Sequence, residues 1–95
     1  MPYSRLVFRT HAIKRMFEQH ISYGDVERVV NKWRVIAEYP RDEPFPSMLV
    51  LGWINQRPLH VVAADDHENK QTIVITVYEP DTTQWKEGFT ERKIP

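Results

Sequence analysis

Cysteine is absent from this chain of 95 residues, so neither a disulfide framework nor a thiolate zinc site is open to it. Glycine occurs only three times and never in a cluster, which excludes the glycine-rich loops that cradle nucleotide phosphates. No apolar run approaches bilayer length, since the longest, Met48 to Ile54, has the length of a strand. Net charge is missing too, with 13 Lys and Arg against 13 Asp and Glu. A protein that grips nucleic acid by bulk electrostatics carries a large positive excess. Met1-Pro2-Tyr3-Ser4-Arg5 leads into folded-looking sequence with no secretory apolar region behind it. Together these absences predict one soluble, cytoplasmic domain over residues 1–95, with no membrane partner, no metal and no cofactor.

What is present is unevenly distributed. Through Arg34 there are seven Lys and Arg against three acids, and in the remainder six against ten. A basic helical layer beside a more acidic sheet can still offer a local phosphate-binding face. The first clear element follows Thr10, a candidate N-cap. Ile13, Met16, Phe17 and His20 or Ile21 fall at helical spacing and predict its apolar stripe, with His11, Lys14, Arg15 and Glu18 opposite. Ser22-Tyr23-Gly24-Asp25 fits a capping box, with Ile21 and Val26 placed as a hydrophobic staple. Val26, Val29, Val30 and Trp33 then mark a second buried stripe, and Phe17 and Trp33 are expected in the core.

From Arg34 the period changes to two. Val35, Ala37 and Tyr39 alternate with Ile36 and Glu38, and Pro40 ends the run. Three further strands are expected at roughly 48–54, 58–64 and 72–78, joined by Asn55-Gln56-Arg57 and by a polar turn from Asp65 to Lys70. The order predicts an α+β domain in which two N-terminal helices pack on one face of a four-stranded antiparallel sheet. Pairing of the last two strands sets His60 opposite Tyr78 or Thr76. His60, Val62, Ala64, Val74, Thr76 and Tyr78 then share one face, while Leu59, Val61, Ala63, Ile73, Ile75 and Val77 lie beneath the helices. The mixed face carries the expected site.

The residues that carry chemistry are an imidazole pair, guanidiniums and a phenol. His11 and Arg15, four apart, share one face of the first helix. His11 and His60 have an ordinary pKa suited to acid and base roles near neutrality. Arg15, Arg57 and Arg92 can each hold a phosphate. Tyr78 can donate a hydrogen bond, and Trp53 or Trp85 can stack a base. Metal-ligand types do occur together at Asp65-Asp66-His67-Glu68, but in a turn, where acids need only solvent. The set His11, Arg15, His60 and Tyr78 therefore points to RNA chemistry without a metal.

The pattern His11-Ala12, Arg15-Met16, Ile21-Ser22, Asp25-Val26, Tyr39-Pro40, Arg57-Pro58-Leu59-His60-Val61-Val62, Val77-Tyr78-x-Pro80-Asp81 and Trp85 resembles the domain-of-unknown-function family 4258. That family is grouped with RelE-, ParE- and MqsR-like toxins of bacterial toxin–antitoxin pairs. The resemblance implies a RelE-like fold, a metal-independent endoribonuclease of the mRNA-interferase type and RNA as substrate. It also implies an antitoxin partner of zinc-finger or helix-turn-helix type. His11, Arg15, His60 and Tyr78 carry over as catalytic residues, and Arg57, Arg92 and Trp85 as substrate-binding ones. The chain departs from the family where Gln19 and His20 stand in place of an arginine and a glycine, which removes one basic side chain from the first helix. The alternative is a catalytically inactive RNA- or protein-binding module on the same fold. In either case the exposed edge strand 34–39 is free to pair with an antitoxin segment or, as a homodimer, with a second copy.

Overall fold

The computed structural model describes residues 2–32 and 34–93. The elements run β1 (Leu6–Phe8), α1 (Thr10–Glu18), α2 (Tyr23–Asn31), β2 (Arg34–Tyr39), β3 (Ser47–Ile54), β4 (Arg57–Asp66) and β5 (Gln71–Tyr78). Both helices and the four expected strands are present, but the sheet has five strands in the order β1-β5-β4-β3-β2. The extra strand, β1, pairs parallel to β5 through Leu6↔Thr72, Val7↔Ile73 and Phe8↔Val74. The expected four-stranded antiparallel sheet is thus corrected to a mixed one. Three residues are too few to show a period, so Leu6-Val7-Phe8 carried no strand signal.

Residue Arg9 leaves β1 with its amide bonded to the Val74 carbonyl at 3.0 Å, and α1 starts at once. Arg9 occupies the N-cap position without a side-chain cap, so Thr10 is the first helical residue rather than the cap. Helix α1 buries Ala12 and half-buries Met16, while Ile13 and Phe17 face out, Phe17 being 86 % exposed. The expected core place of Phe17 is overturned: the stripe is rotated by one residue because α1 packs through the smallest side chain in it. The other expected core aromatic, Trp33, lies outside the described residues. Helix α2 begins as its sequence dictates. Ser22 Oγ accepts from the Asp25 amide, and the Asp25 carboxylate accepts from the Ser22 amide, both at 3.1 Å. Ile21 and Val26 are both buried in the core.

The core lies between the helices and one face of the sheet: Val26, Val29 and Val30 of α2 meet Val50, Leu59, Val61, Ala63, Val74 and Val77. Gly52 is required here, since an added Cβ would come within 2.8 Å of the Val29 methyls. Strand β4 alternates as expected, but β5 does not. The pairing passes from Val62↔Thr76 to Ala63↔Val74, which leaves Ile75 as an extra residue on β5. This bulge inverts the alternation beyond it. Val74 turns under the helices, and Ile73, opposite Ala64, turns to the other face, the reverse of the expected assignment.

Candidate functional site

His60 and Tyr78 face each other directly across β4 and β5, on the side away from the helices. After β5 the chain turns sharply. The Asp81 carboxylate accepts from the Thr83 amide at 2.8 Å, and the Asp81 carbonyl accepts from the amides of Gln84 and Trp85, each at 3.0 Å. Short polar side chains favour such turns by bonding their own backbone two residues on. The turn swings Trp85 onto the histidine, edge to face, with ring centroids 4.4 Å apart at 83°. The tail then folds back on itself through Lys86 N–H to the Glu91 carbonyl at 2.8 Å and Lys93 N–H to the Gln84 carbonyl at 2.9 Å. Gly88 and Phe89, at φ of 88° and 60°, make the reversal. Glycine has no penalty there, and Phe89 is anchored by its ring against Trp53, centroids 5.9 Å apart.

The reversal delivers the Phe89 carbonyl to His60 Nε2 at 2.9 Å. A carbonyl only accepts, so Nε2 carries the proton and Nδ1 of the neutral ring is left as an acceptor. Tyr78 Oη lies 3.3 Å from that Nδ1 and donates to it. His60 is fully buried. Burial pushes its pKa below 6.5; the Phe89 hydrogen bond opposes the shift and the Arg92 charge adds to it. Burial likewise raises the Tyr78 pKa, against the pull of the Arg92 and Arg15 charges. Both groups are therefore neutral near pH 7, with the phenol's proton committed inward and its oxygen lone pairs left facing out.

Outside Tyr78 is a cleft of about 360 Å³ lined by Arg15, Tyr78, Glu79, Asp81, Gln84, Trp85 and Arg92. The Arg92 guanidinium lies 4.9 Å from the Trp85 ring centre, a cation–π contact that holds it in place. Arg15 reaches the cleft from α1 and keeps only a loose contact with Glu18, 3.8 Å at the solvent surface. Pairs of that kind contribute little and yield readily to a better anion. Two guanidiniums and a phenol thus converge on one opening together with two carboxylates, Glu79 held by Arg57 and Asp81 held by the Thr83 amide.

The other expected site residues are placed elsewhere. His11 is exposed on the first turn of α1 and lines a different cleft, so it does not share a site with His60. His60, expected as acid or base, is fully buried and does not itself face the cleft; Tyr78 stands between the two. Arg57 is not a free phosphate ligand. Its guanidinium donates to the Gln19 carbonyl, to the His20 carbonyl at 3.1 Å and to Glu79, so it closes the open C-terminal end of α1. The Gln19 side chain accepts from the Glu79 amide at 2.8 Å, tying the same helix end to the end of β5. His20 there has φ of 56°, the left-handed conformation that glycine adopts without cost.

Two groups with roles in the site had no part in the sequence reading. Phe89 sets the His60 tautomer through its backbone oxygen, which no side-chain pattern reveals. Gln84 lines the cleft beside Trp85, and the only hint of its position was the Asp81-x-Thr83 turn. Asp66, which the sequence placed among metal-ligand types, instead organises its turn by accepting from the amide and side chain of Asn69 and from Gln71. Those bonds hold its pKa below the usual carboxylate range.

No helix among the described residues is long and apolar enough to cross a membrane. No curated protein and no solved structure matches the chain. One family model does match, over residues 8–79, which span α1 to the end of β5 and hold the pairings among β2, β3, β4 and β5, while Leu6 and Val7 of β1 lie outside it. The chain therefore belongs to the family described as Domain of unknown function (DUF4258).

Proposed function

We propose that the Arg15–Tyr78–Arg92 cleft is the phosphodiester site of a metal-independent endoribonuclease, of the RelE-like type that serves as the toxin of a toxin–antitoxin pair. The observation that carries this reading is the direction of one hydrogen bond: Tyr78 gives its proton to His60 Nδ1 and presents its oxygen to a cleft with two guanidiniums. Arg15 and Arg92 take the charge of the scissile phosphate as it grows in the transition state. The 2′-hydroxyl attacks phosphorus and passes its proton to Tyr78 Oη as the phenol proton moves to His60 Nδ1. The bond from phosphorus to the 5′-oxygen breaks, and that oxygen takes a proton from water, leaving hydroxide. The products are a 2′,3′-cyclic phosphate and a 5′-hydroxyl, and His60 then returns its proton to Tyr78 as the phenol gives one to that hydroxide. In this scheme His60 positions and drives Tyr78 without touching RNA.

The test uses purified wild type beside Tyr78→Phe and Arg15→Ala, on an oligoribonucleotide and on its 2′-deoxy counterpart. Cleavage of the ribose form alone, with cyclic-phosphate ends, is expected, and it should drop by about two orders of magnitude in each variant. Cleavage of the deoxy form, or full activity in Tyr78→Phe, would refute the scheme. One observation favours the alternative, a module that binds RNA without cutting it: burial works against the protonated His60 that the relay requires. That module would bind RNA in a salt-dependent manner and ignore Tyr78→Phe. Induction in a bacterial host, with growth as readout, checks the toxin role. For the antitoxin, the outer edge of β2, which ends the sheet, offers a strand to pair with. A variant carrying Ile36→Pro that still bound its partner would count against that edge.

A further inference from the structure

A second cleft, of about 350 Å³, opens beside α1 and takes no part in the chemistry above. Its floor is Ala64, Ile73 and Ile75, its wall is Phe45, and Arg9, His11 and Glu43 stand around it. The apolar floor exists because the bulge at Ile75 turns Ile73 outward. Arg9 is held there by its backbone, through the bond from its N–H to the Val74 carbonyl. The side chains of Arg9, His11 and Glu43 make no hydrogen bond or ion pair with any other described residue. An apolar slot with a few convergent, unspent polar groups is the usual form of a small-ligand site.

We infer that this cleft is a nucleobase pocket selective for guanine, an inference that rests on the ribonuclease reading of the neighbouring site. Bases freed from a duplex are held by stacking on aromatic rings and by bonds to their exposed edges. Phe45 and the two isoleucines provide the faces. The Glu43 carboxylate only accepts, so it calls for a base edge with adjacent donors. Guanine offers N1–H and the exocyclic amine side by side, whereas adenine and cytosine set a lone pair next to their one amine. Arg9 complements the other edge, where O6 and N7 are both acceptors. His11 and Arg15 are four residues apart on α1, an axial rise of about 6 Å. A nucleotide with its phosphate on Arg15 can therefore seat its own base beside His11.

Titration of the ¹⁵N-labelled protein with each of the four nucleosides, which lack phosphate, tests the pocket apart from the chemistry. Guanosine should shift the amides of Phe45, Ala64, Ile73 and Ile75 and leave Trp85 unmoved, with the other three nucleosides binding at least tenfold more weakly. Replacing Glu43 by Gln, in an exposed loop, should weaken guanosine binding at least tenfold with the remaining spectrum unchanged. Equal binding of all four nucleosides, no response at these amides, or indifference to Glu43→Gln would overturn the assignment. RNA cleavage measured in parallel separates the two readings. Cleavage without guanosine binding removes the pocket and keeps the ribonuclease. Guanosine binding without cleavage keeps the pocket and removes the ribonuclease.

Discussion

Replacement of His60 by Ala is expected to cost the fold about as much as losing a buried aromatic ring. The imidazole is fully buried, packs on Trp85 at 4.4 Å and on Tyr78 at 5.3 Å, and spends its proton on the Phe89 carbonyl. Truncating an aromatic of that burial costs about 3–5 kcal/mol, and the stranded carbonyl adds about 1 kcal/mol, since Phe89 is only half-buried and water can reach it. A domain of this size has about 5–14 kcal/mol in all, so the variant should lose a third or more of its stability. Urea unfolding followed by tryptophan fluorescence gives the figure. A partner variant, His60→Phe, fills the space but leaves the carbonyl and the phenol unpaired, and should lose about 1–3 kcal/mol. The consequence for function is direct: inactivity of His60→Ala is no sign of a catalytic imidazole until stability has been measured. Should His60→Ala unfold within 1 kcal/mol of wild type while RNA cleavage is abolished, the buried, strap-covered account of this residue is wrong.

Three other outcomes follow from the same geometry. Gly52→Ala sets a methyl 2.8 Å from the Val29 side chain and should destabilise by about 1–3 kcal/mol in the same unfolding assay, through overpacking between α2 and β3. Arg57→Ala opens the C-terminal end of α1 and removes three donors from Gln19, His20 and Glu79. The expected loss is about 2 kcal/mol, with hydrogen exchange faster at the last turn of α1, and retention of that protection would contradict a clamping role. Stability should also fall with acid. His60 in the fold has a pKa below its unfolded value of 6.5, so between the two values the unfolded chain binds a proton that the folded chain does not. The contribution is complete above pH 6.5, declines as pH drops through the window beneath it, and levels off once the folded pKa is passed. A flat stability profile from pH 7 to pH 5 would count against a neutral, buried His60.

Most of the fold was legible because strong local signals agree with the global one. The Ser22–Asp25 box starts α2 where it should, and the alternation of Leu59, Val61 and Ala63 against His60, Val62 and Ala64 fixes both faces of β4. That alternation also put His60 opposite Tyr78, which is why a site on the mixed face could be named at all. The failures have local causes. Leu6-Val7-Phe8 becomes a strand only because β5 offers it a parallel edge, and such pairing lies in the partner rather than in three residues. Phe17 matched a helical stripe as well as Ala12 did, and a period cannot tell which of two adjacent stripes a sheet will accept.

The candidate site was less legible, since the sequence names its side chains but not what each of them touches. A histidine in an apolar strand has an exposed and a buried reading, and what decides between them here is the segment after residue 80. Nothing in its sequence announces a strap, because it holds itself by backbone bonds and by the rings of Trp85 and Phe89. Once that strap covers His60, its Nε2 is taken by the Phe89 carbonyl and its Nδ1 faces Tyr78, so the candidate site moves one residue outward. The bulge at Ile75 has the same standing. One extra residue moves Ile73 from beneath the helices to the other face of the sheet, where it is still buried, and the alternation that predicts the face of Tyr78 then predicts that of Ile73 wrongly five residues earlier. The cleft beside His11 owes its floor to that inversion. Deleting Ile75 should therefore remove the bulge without moving its neighbours: Val74 stays opposite Ala63 under the helices, Ile73 stays opposite Ala64 on the other face, and His60 and Tyr78 stay paired.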